Sequence, residues 1–316
     1  MSIQFVLHKV SKTYSSGSKP ALGPVSLRIE AGEMISILGQ SGAGKSTLLR
    51  LLAGLEQLTE GTIDFEGKPL AGPQEKLIAG HEAIALVHQD FKLAHATTVE
   101  LNIRQMLRGR GIPDKLIQQR TRQALQLCRL ERLKERKIET LSGGEKQRLS
   151  IARAWVTKPK VLLLDEPFSN LDALHKEALS QTLRDIHQLG TTVLWVTHDA
   201  EDALSIPQKV WVMKNGKIVQ KGSPQEIYTQ PKDAYVAALG GYFSYWYEKI
   251  YRPEQFEVLL TPGVDTFEGR VEKSLFMGPY YLLQIKLADE QVLWVQYKND
   301  PTSNLPQDVH LKVPNP

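Results

Sequence analysis

Short continuous apolar runs alternate with amphipathic segments through the first three quarters of the chain. Met34–Leu38 and residues 84–88, 161–164 and 192–196 are apolar runs of strand length bounded by turn-forming residues. Residues 45–55, 114–133, 145–157 and 174–189 instead read as helices. In residues 114–133, Leu116, Ile117, Leu125, Leu127, Leu130 and Leu133 supply the apolar faces. Continuous apolar strands separated by helices predict an α/β fold with a parallel sheet covered on both faces. The pattern changes after about Tyr251. Residues 267–276, 280–287, 291–297 and 309–313 are short strand candidates punctuated by Gly, Pro, Asp and Asn, with no helical period among them. They predict a small all-β domain, an incomplete barrel.

Composition sharpens that division. The 316 residues exceed a typical single domain, and 41% apolar content excludes a disordered or collagen-like chain. No apolar run approaches the ~18–20 residues that cross a bilayer, and no basic segment followed by an apolar core opens the sequence. With Cys128 as the single cysteine, a soluble protein of a reducing cytoplasm is expected. Cys128 falls at helical spacing and is expected in the core, while His8, His81 and His175 lack metal-ligand spacing and are expected to be solvated. The net charge of +4 resolves into +7 over residues 1–242 and −3 over residues 243–316. Six of the 23 aromatic residues, Tyr242, Phe243, Tyr245, Trp246, Tyr247 and Tyr251, mark the junction, where they are expected to pack between the two parts. Domains are therefore expected at residues 1–240 and 243–316.

One motif carries chemistry on its own. Gly39-Gln40-Ser41-Gly42-Ala43-Gly44-Lys45-Ser46-Thr47 fits G-x-x-x-x-G-K-[ST] between a predicted strand and a predicted helix. Its glycines let backbone N–H groups turn toward phosphate oxygens, and the helix N-terminus adds partial positive charge. Lys45 can reach the β- and γ-phosphates, and the Ser46 hydroxyl can bind Mg²⁺. Downstream, the run at residues 161–164 ends in Asp165 and Glu166. Alone, such a strand end is equally compatible with solvated acids. Paired with a phosphate loop, Asp165 can hold Mg²⁺ and Glu166 can polarise a water for in-line attack.

Leu141-Ser142-Gly143-Gly144-Glu145-Lys146-Gln147-Arg148 resembles the signature motif of ABC-transporter ATPases. Other elements follow in that family's order over about residues 3–240. Tyr14 resembles the aromatic that stacks on adenine, and Gln89 the Q-loop glutamine that binds Mg²⁺ and relays to a partner. Ser169-Asn170-Leu171-Asp172 resembles the D-loop, and His198 the switch histidine that contacts the γ-phosphate. The resemblance implies a P-loop NTPase cassette: a mixed sheet core with a helical subdomain at about residues 90–157. Ser142, Gly143 and Gly144 at a helix N-terminus can offer a hydroxyl, N–H donors and the helix dipole to an anion. In the family two cassettes pack head-to-tail. That implies a homodimer in which Ser142, Gly143, Gly144, Glu145 and Asp172 close in trans over the partner's ATP. Glu166, His198 and Lys45 would then be catalytic, and Ser46, Gln89 and Asp165 would hold the metal.

Two departures stand out. Glu145 occupies a place where the family most often has Gln. After Gln89, related transporters often read L-F-P-H-x-T-V, whereas this chain has Leu93-Ala94-His95-Ala96-Thr97-Thr98-Val99, in the region that usually meets the membrane subunit.

Tyr251-Arg252-Pro253-Glu254, Gly269-Arg270-Val271 and Met277-Gly278 resemble the start of the OB-like TOBE domain appended to many importer ATPases. Barrels of this general kind can bind oligonucleotides, but a balance of −3 argues against a nucleic-acid partner. The resemblance implies the ATP-hydrolysing motor of a solute importer. Its partners would be integral membrane permease subunits and, through the complex, an extracytoplasmic solute-binding protein. Such a motor sits in the cytoplasm, peripheral on the inner face of the membrane. A soluble non-transport ABC ATPase and an exporter motor remain alternatives. The former classes carry tandem cassettes or long coiled coils, and the latter usually end near the equivalent of residue 230 or carry fused membrane helices.

Overall fold

The computed structural model describes residues 2–15, 19–91, 93–94 and 96–313, the side chains of residues 303–304 excepted. His95 of the departure noted above lies outside the described residues. The chain divides into two compact units, Met1–Pro224 and Gln225–Pro316.

In the first unit the elements run β1 (Ile3–Lys12), β2 (Leu22–Glu30), β3 (Met34–Leu38), α1 (Lys45–Leu52), β4 (Glu60–Phe65), β5 (Lys68–Pro69) and β6 (Ile84–Val87). There follow α2 (Val99–Gln105), α3 (Asp114–Leu127), α4 (Gly143–Trp155), β7 (Val161–Asp165), α5 (Ala173–Gln188), β8 (Thr192–Thr197), α6 (Ala200–Leu204), β9 (Lys209–Lys214) and β10 (Lys217–Gly222). A six-stranded sheet has the order β10-β9-β3-β8-β7-β6. All its neighbours are parallel except the hairpin of β9 and β10, which turns on Asn215 (φ 49°) and Gly216 (φ 73°).

Period-two alternation divides the side chains of this sheet between two cores. Met34, Leu162, Leu164, Val193 and Trp195 pack with the helices α2 to α5. Ile35, Ile37, Val161, Leu163, Leu194 and Val196 pack with α1 and a second sheet. That second sheet is antiparallel, with the order β2-β1-β4-β5. Its strands were not anticipated. β2 alternates buried and exposed positions because one face alone meets the core, and this gives no continuous apolar run. The helix expected over residues 114–133 stops at Leu127. Arg129 has a left-handed backbone (φ 54°), and a short 3₁₀ turn, Glu131–Leu133, follows. Cys128, at that break, is buried with its thiol pushed up to about 12 by burial.

The second unit begins within α7 (Pro224–Thr229) and continues through α8 (Ala234–Leu239), β11 (Ser244–Trp246), β12 (Lys249–Tyr251), β13 (Glu257–Leu259) and β14 (Thr266–Phe276). It ends with β15 (Tyr281–Leu287), β16 (Val292–Tyr297), α9 (Pro301–Asn304) and β17 (Asp308–Lys312). The antiparallel sheet β13-β17-β14-β15-β16 curls until its edge strands β13 and β16 approach each other. The four-residue helix α9 departs from the all-β expectation; Pro301 at its start and the Asp300 cap set it locally. Of the aromatic cluster, Trp246 and Tyr251 pack within this unit, whereas Tyr242, Tyr245 and Tyr247 are exposed. Trp246 lies 4.5 Å from Phe267 and Tyr242 lies 4.8 Å from Trp294, ring centre to ring centre. Arg252 is 2% exposed and donates to the carbonyls of Tyr228, Ala237 and Tyr242 at 2.9, 2.9 and 3.3 Å.

Candidate functional site

The buried strand β3 delivers the chain to a loop whose glycines are dictated by close approach. A Cβ on Gly39 would lie 2.5 Å from the Met213 carbonyl of β9. Gly44, the N-cap of α1, has φ 95°, and a Cβ there would overlap the Ala21 carbonyl. The β9–β10 turn braces the same loop, since Gly216 N–H donates to the Ala43 carbonyl at 3.0 Å. Ala21, residues 41–47 and Glu166 line a cavity of about 370 Å³. The first turn of α1 carries no acidic residue of its own, so the helix N-terminus favours an anion, while Asp165 and Glu166 stand across from it. Lys45 is 5% exposed, and its Nζ donates to the Gly39 and Gln40 carbonyls at 2.7 and 3.0 Å. Burial lowers its pKa, opposed by the charges of Glu166 and Asp165.

Strands β3, β8 and β7 are parallel neighbours, so their carboxyl ends open on one edge of the sheet. Ser46 Oγ donates to Asp165 Oδ1 at 2.8 Å, joining the phosphate loop to the end of β7. Glu166 follows on a left-handed backbone (φ 49°), its N–H donating to the Val196 carbonyl at 3.1 Å. Its Oε1 lies 3.1 Å from His198 Nδ1. Among the described residues no group of three or more His, Cys, Asp or Glu side chains is assembled for a metal. A hydroxyl and a carboxylate side by side fit Mg²⁺, which takes few protein ligands and completes its shell with phosphate oxygens and water. Gln89 is exposed on the turn after β6, without a hydrogen bond to Ser46 or Asp165.

Tyr14 is half-buried, with its hydroxyl 3.5 Å from Thr47 Oγ1 and 3.4 Å from Glu56 Oε2. Lys12 Nζ stands 4.8 Å from the ring centre and 2.7 Å from Glu56. Burial raises the Glu56 pKa, but the partnership with Lys12 outweighs it and holds the carboxyl below its ordinary value. Sequence reading missed Lys12 and Glu56, because ion pairs between distant segments leave no spacing signal.

The remaining predicted residues lie elsewhere. Ser142 caps α4, with Oγ accepting from Glu145 N–H at 3.2 Å while Glu145 Oε2 accepts from Ser142 N–H at 2.8 Å. Ser142 and Gly143 are exposed and Gly144 is buried. Asp172 caps α5 through His175 N–H at 2.9 Å. Its carboxyl is held below the ordinary range, first by that backbone hydrogen bond and then by the His175 ring. Residues 142–145 and Asp172 do not line the cavity at the phosphate loop. Two of the histidines expected to be solvated are half-buried and also make contacts within the fold. His175 lies between Asp172 and Gly144. His81 stands edge-on to Phe65 at 4.9 Å, and burial pushes its pKa down.

Residues 22–169 match the family model described as ABC transporter, and residues 251–314 match that of the TOBE domain. The chain is 34% identical to the Fe(3+) ions import ATP-binding protein FbpC of Vibrio cholerae, over 91% of this chain and 89% of that one. The chain belongs to the ATP-binding proteins of ABC transporters. This ABC protein is an ATPase by family, and ATP is its nucleotide. It is also 39% identical to the spermidine/putrescine import ATP-binding protein PotA of Haemophilus influenzae, over 84% of this chain and 69% of that one. Among solved structures, the dimeric post-hydrolysis state of the cassette MJ0796, bound to ADP and Pi, has a TM-score of 0.61 and 31% identity. That match covers 70% of the ABC protein and 98% of the other chain. Among the described residues no helix is long and apolar enough to cross a membrane.

Proposed function

We propose that this ABC protein is the motor subunit of a solute importer, working as a head-to-tail homodimer that hydrolyses two ATP. The carrying observation is that one chain holds two phosphate-facing arrangements that do not meet. Lys45, Ser46, Asp165, Glu166 and His198 gather at the carboxyl edge of the sheet. The capped N-terminus of α4 stands outside that cavity, exposed at Ser142 and Gly143. A second copy placing its Ser142, Gly143, Gly144, Glu145 and Asp172 over the first copy's ATP completes both sites at once.

In this reading Tyr14 stacks on adenine, and Gly39, Gln40, Ser41, Gly42, Ala43, Gly44, Lys45, Ser46 and Thr47 surround the phosphates. Lys45 exchanges its two carbonyl partners for phosphate oxygens. Ser46 and Asp165, joined by Gln89, would hold Mg²⁺, which neutralises phosphate charge. Glu166 takes a proton from the attacking water, and His198 steadies both Glu166 and the γ-phosphate.

Integral membrane permease subunits dock on the hollow of about 310 Å³ whose lining includes Leu86, Phe91, Met106 and Ala154. Docking places the motor on the cytoplasmic face of the membrane. The relatives' names give different cargoes, ferric ion and polyamine, for similar motors. Cargo choice therefore belongs to the permease and an extracytoplasmic solute-binding protein. Analytical ultracentrifugation of Glu166→Gln with ATP and Mg²⁺ tests the dimer. A dimer is expected with ATP and a monomer without it; a persistent monomer overturns the composite site. Co-purification with an integral membrane protein separates transport from a soluble ABC ATPase.

A further inference from the structure

The first turn of α5 reaches toward two other segments through adjacent side chains. His175 Nδ1 lies 2.8 Å from both carboxylate oxygens of Asp172, which also accepts the His175 N–H at 2.9 Å. These bonds fix the ring, and its opposite edge lies on Gly144. A Cβ at position 144 would overlap the imidazole, standing 2.6 Å from Cγ. The ring therefore fills the space above the second glycine of α4, where any other residue would displace it. On the other side, Lys176 Nζ donates to Asp202 Oδ1 at 2.7 Å and lies 3.6 Å from Asp199 Oδ2. Asp199 follows His198 and caps α6 through Glu201 N–H at 2.8 Å. α5 is thus anchored to the segment that carries His198, and beyond the shared core the His175 ring bears on the first turn of α4.

We propose that His175 is a positioning residue for ATP hydrolysis: its ring is the spacer that sets the N-terminus of α4 relative to Asp172. This rests on the composite-site reading, in which both segments meet the partner's ATP. The donors at a helix N-terminus act on an anion only when correctly aimed, and a misplacement of about 1 Å can cost about 10²-fold in rate. Gly144 has no side chain with which to hold its own position, so the neighbouring ring does it. The role is steric, and it separates the two properties of histidine. Phenylalanine keeps a ring against Gly144 and loses the bond to Asp172. Asparagine keeps a polar partner for Asp172 and loses the ring.

The test uses the full chain, with ATPase kinetics on His175→Ala, His175→Phe and His175→Asn. ATP-driven dimerisation is followed in the same variants combined with Glu166→Gln. His175→Ala is expected to lower kcat about tenfold and to raise the ATP concentration for half-dimerisation about tenfold. ATP affinity of the monomer should stay unchanged, because the phosphate loop is untouched. Phe is expected to restore most of both losses, and Asn neither. Wild-type kcat and dimerisation in His175→Ala overturn the proposal, as does rescue by Asn without rescue by Phe. The outcomes also separate the two readings. If Glu166→Gln alone stays monomeric, the composite site fails. If it dimerises equally well with and without His175, only the spacer fails. Should His175→Ala not fold, the comparison of Phe with Asn decides.

Discussion

Glu166 Oε1 stands 3.1 Å from Nδ1 of His198, and Glu166 keeps that place with a left-handed backbone at φ 49°. A non-glycine residue in that region is uncommon, and strained backbone of this kind collects at functional sites. Here the unusual turn carries Glu166 past the end of β7 and brings its side chain to the residue that follows β8. Glu166→Gln removes the base while keeping nearly the same shape. We expect kcat to fall about 10²–10⁴-fold with ATP binding retained, read by steady-state hydrolysis and equilibrium nucleotide binding. Near wild-type turnover would refute the assignment.

The hydrogen bond between Ser46 and Asp165, 2.8 Å long, couples the phosphate loop to β7. Ser46→Ala removes the hydroxyl at both of its tasks. The Mg²⁺ concentration for half-maximal ATPase activity should rise about tenfold to a hundredfold. Ser46→Thr, which keeps the hydroxyl, should recover most of it. A Mg²⁺ titration of both variants gives the answer, and an unchanged requirement in Ser46→Ala removes Ser46 from the metal site.

Glu145 departs from the glutamine common in the family, and the fold gives it a local task. Its carboxylate accepts the Ser142 N–H and closes a reciprocal cap on α4. Gln can make the same bond, so Glu145→Gln should leave the melting temperature within a degree or two. Glu145→Ala should cost about 1 kcal/mol, read by chemical denaturation. Equal stability of the two variants would show that the cap is not a stability element.

Arg252 is buried in the second unit with three carbonyl partners. Its guanidinium draws together α7, α8 and the segment before β11, in a geometry that an ammonium cannot copy. Arg252→Ala should destabilise the second unit by about 2–4 kcal/mol, and Arg252→Lys should recover less than half of that. Hydrogen exchange of the second unit's backbone amides across a urea titration reads this directly. A loss below about 0.5 kcal/mol would mean the three bonds are replaced by water.

Much of the site was readable because its parts are local. The residues from Met34 to Lys45 announce strand, loop and helix within a dozen positions, and α1 stops two residues short of Gly54 (φ 67°). The buried runs of β7 and β8 were equally plain, since both faces of those strands meet a core. The sheet of β1, β2, β4 and β5 was legible only as weak alternation and went unread. So did the hairpin of β9 and β10, although Asn215-Gly216 is a strong turn signal. What no pattern could disclose is contact between distant segments: Lys12 with Glu56, Gly39 with the Met213 carbonyl, His175 with Gly144. Their partners are set by how sheets and helices stack, so neither period nor spacing records them.

The strand that feeds the phosphate loop has its sheet neighbours late in the chain. β3 lies between β8 and β9, Gly39 leans on Met213 of β9, and Ala43 accepts a hydrogen bond from Gly216 in the turn after it. During synthesis, residues 34–47 emerge from the ribosome long before β8, β9 and the turn after β9 exist to brace them. The nucleotide cradle is therefore among the last parts of the first unit to form, closing only when β9 and its turn have been made. A nascent chain shorter than about residue 216 carries the whole phosphate-loop sequence and still lacks the Met213 and Gly216 backbone against which Gly39 and Ala43 rest.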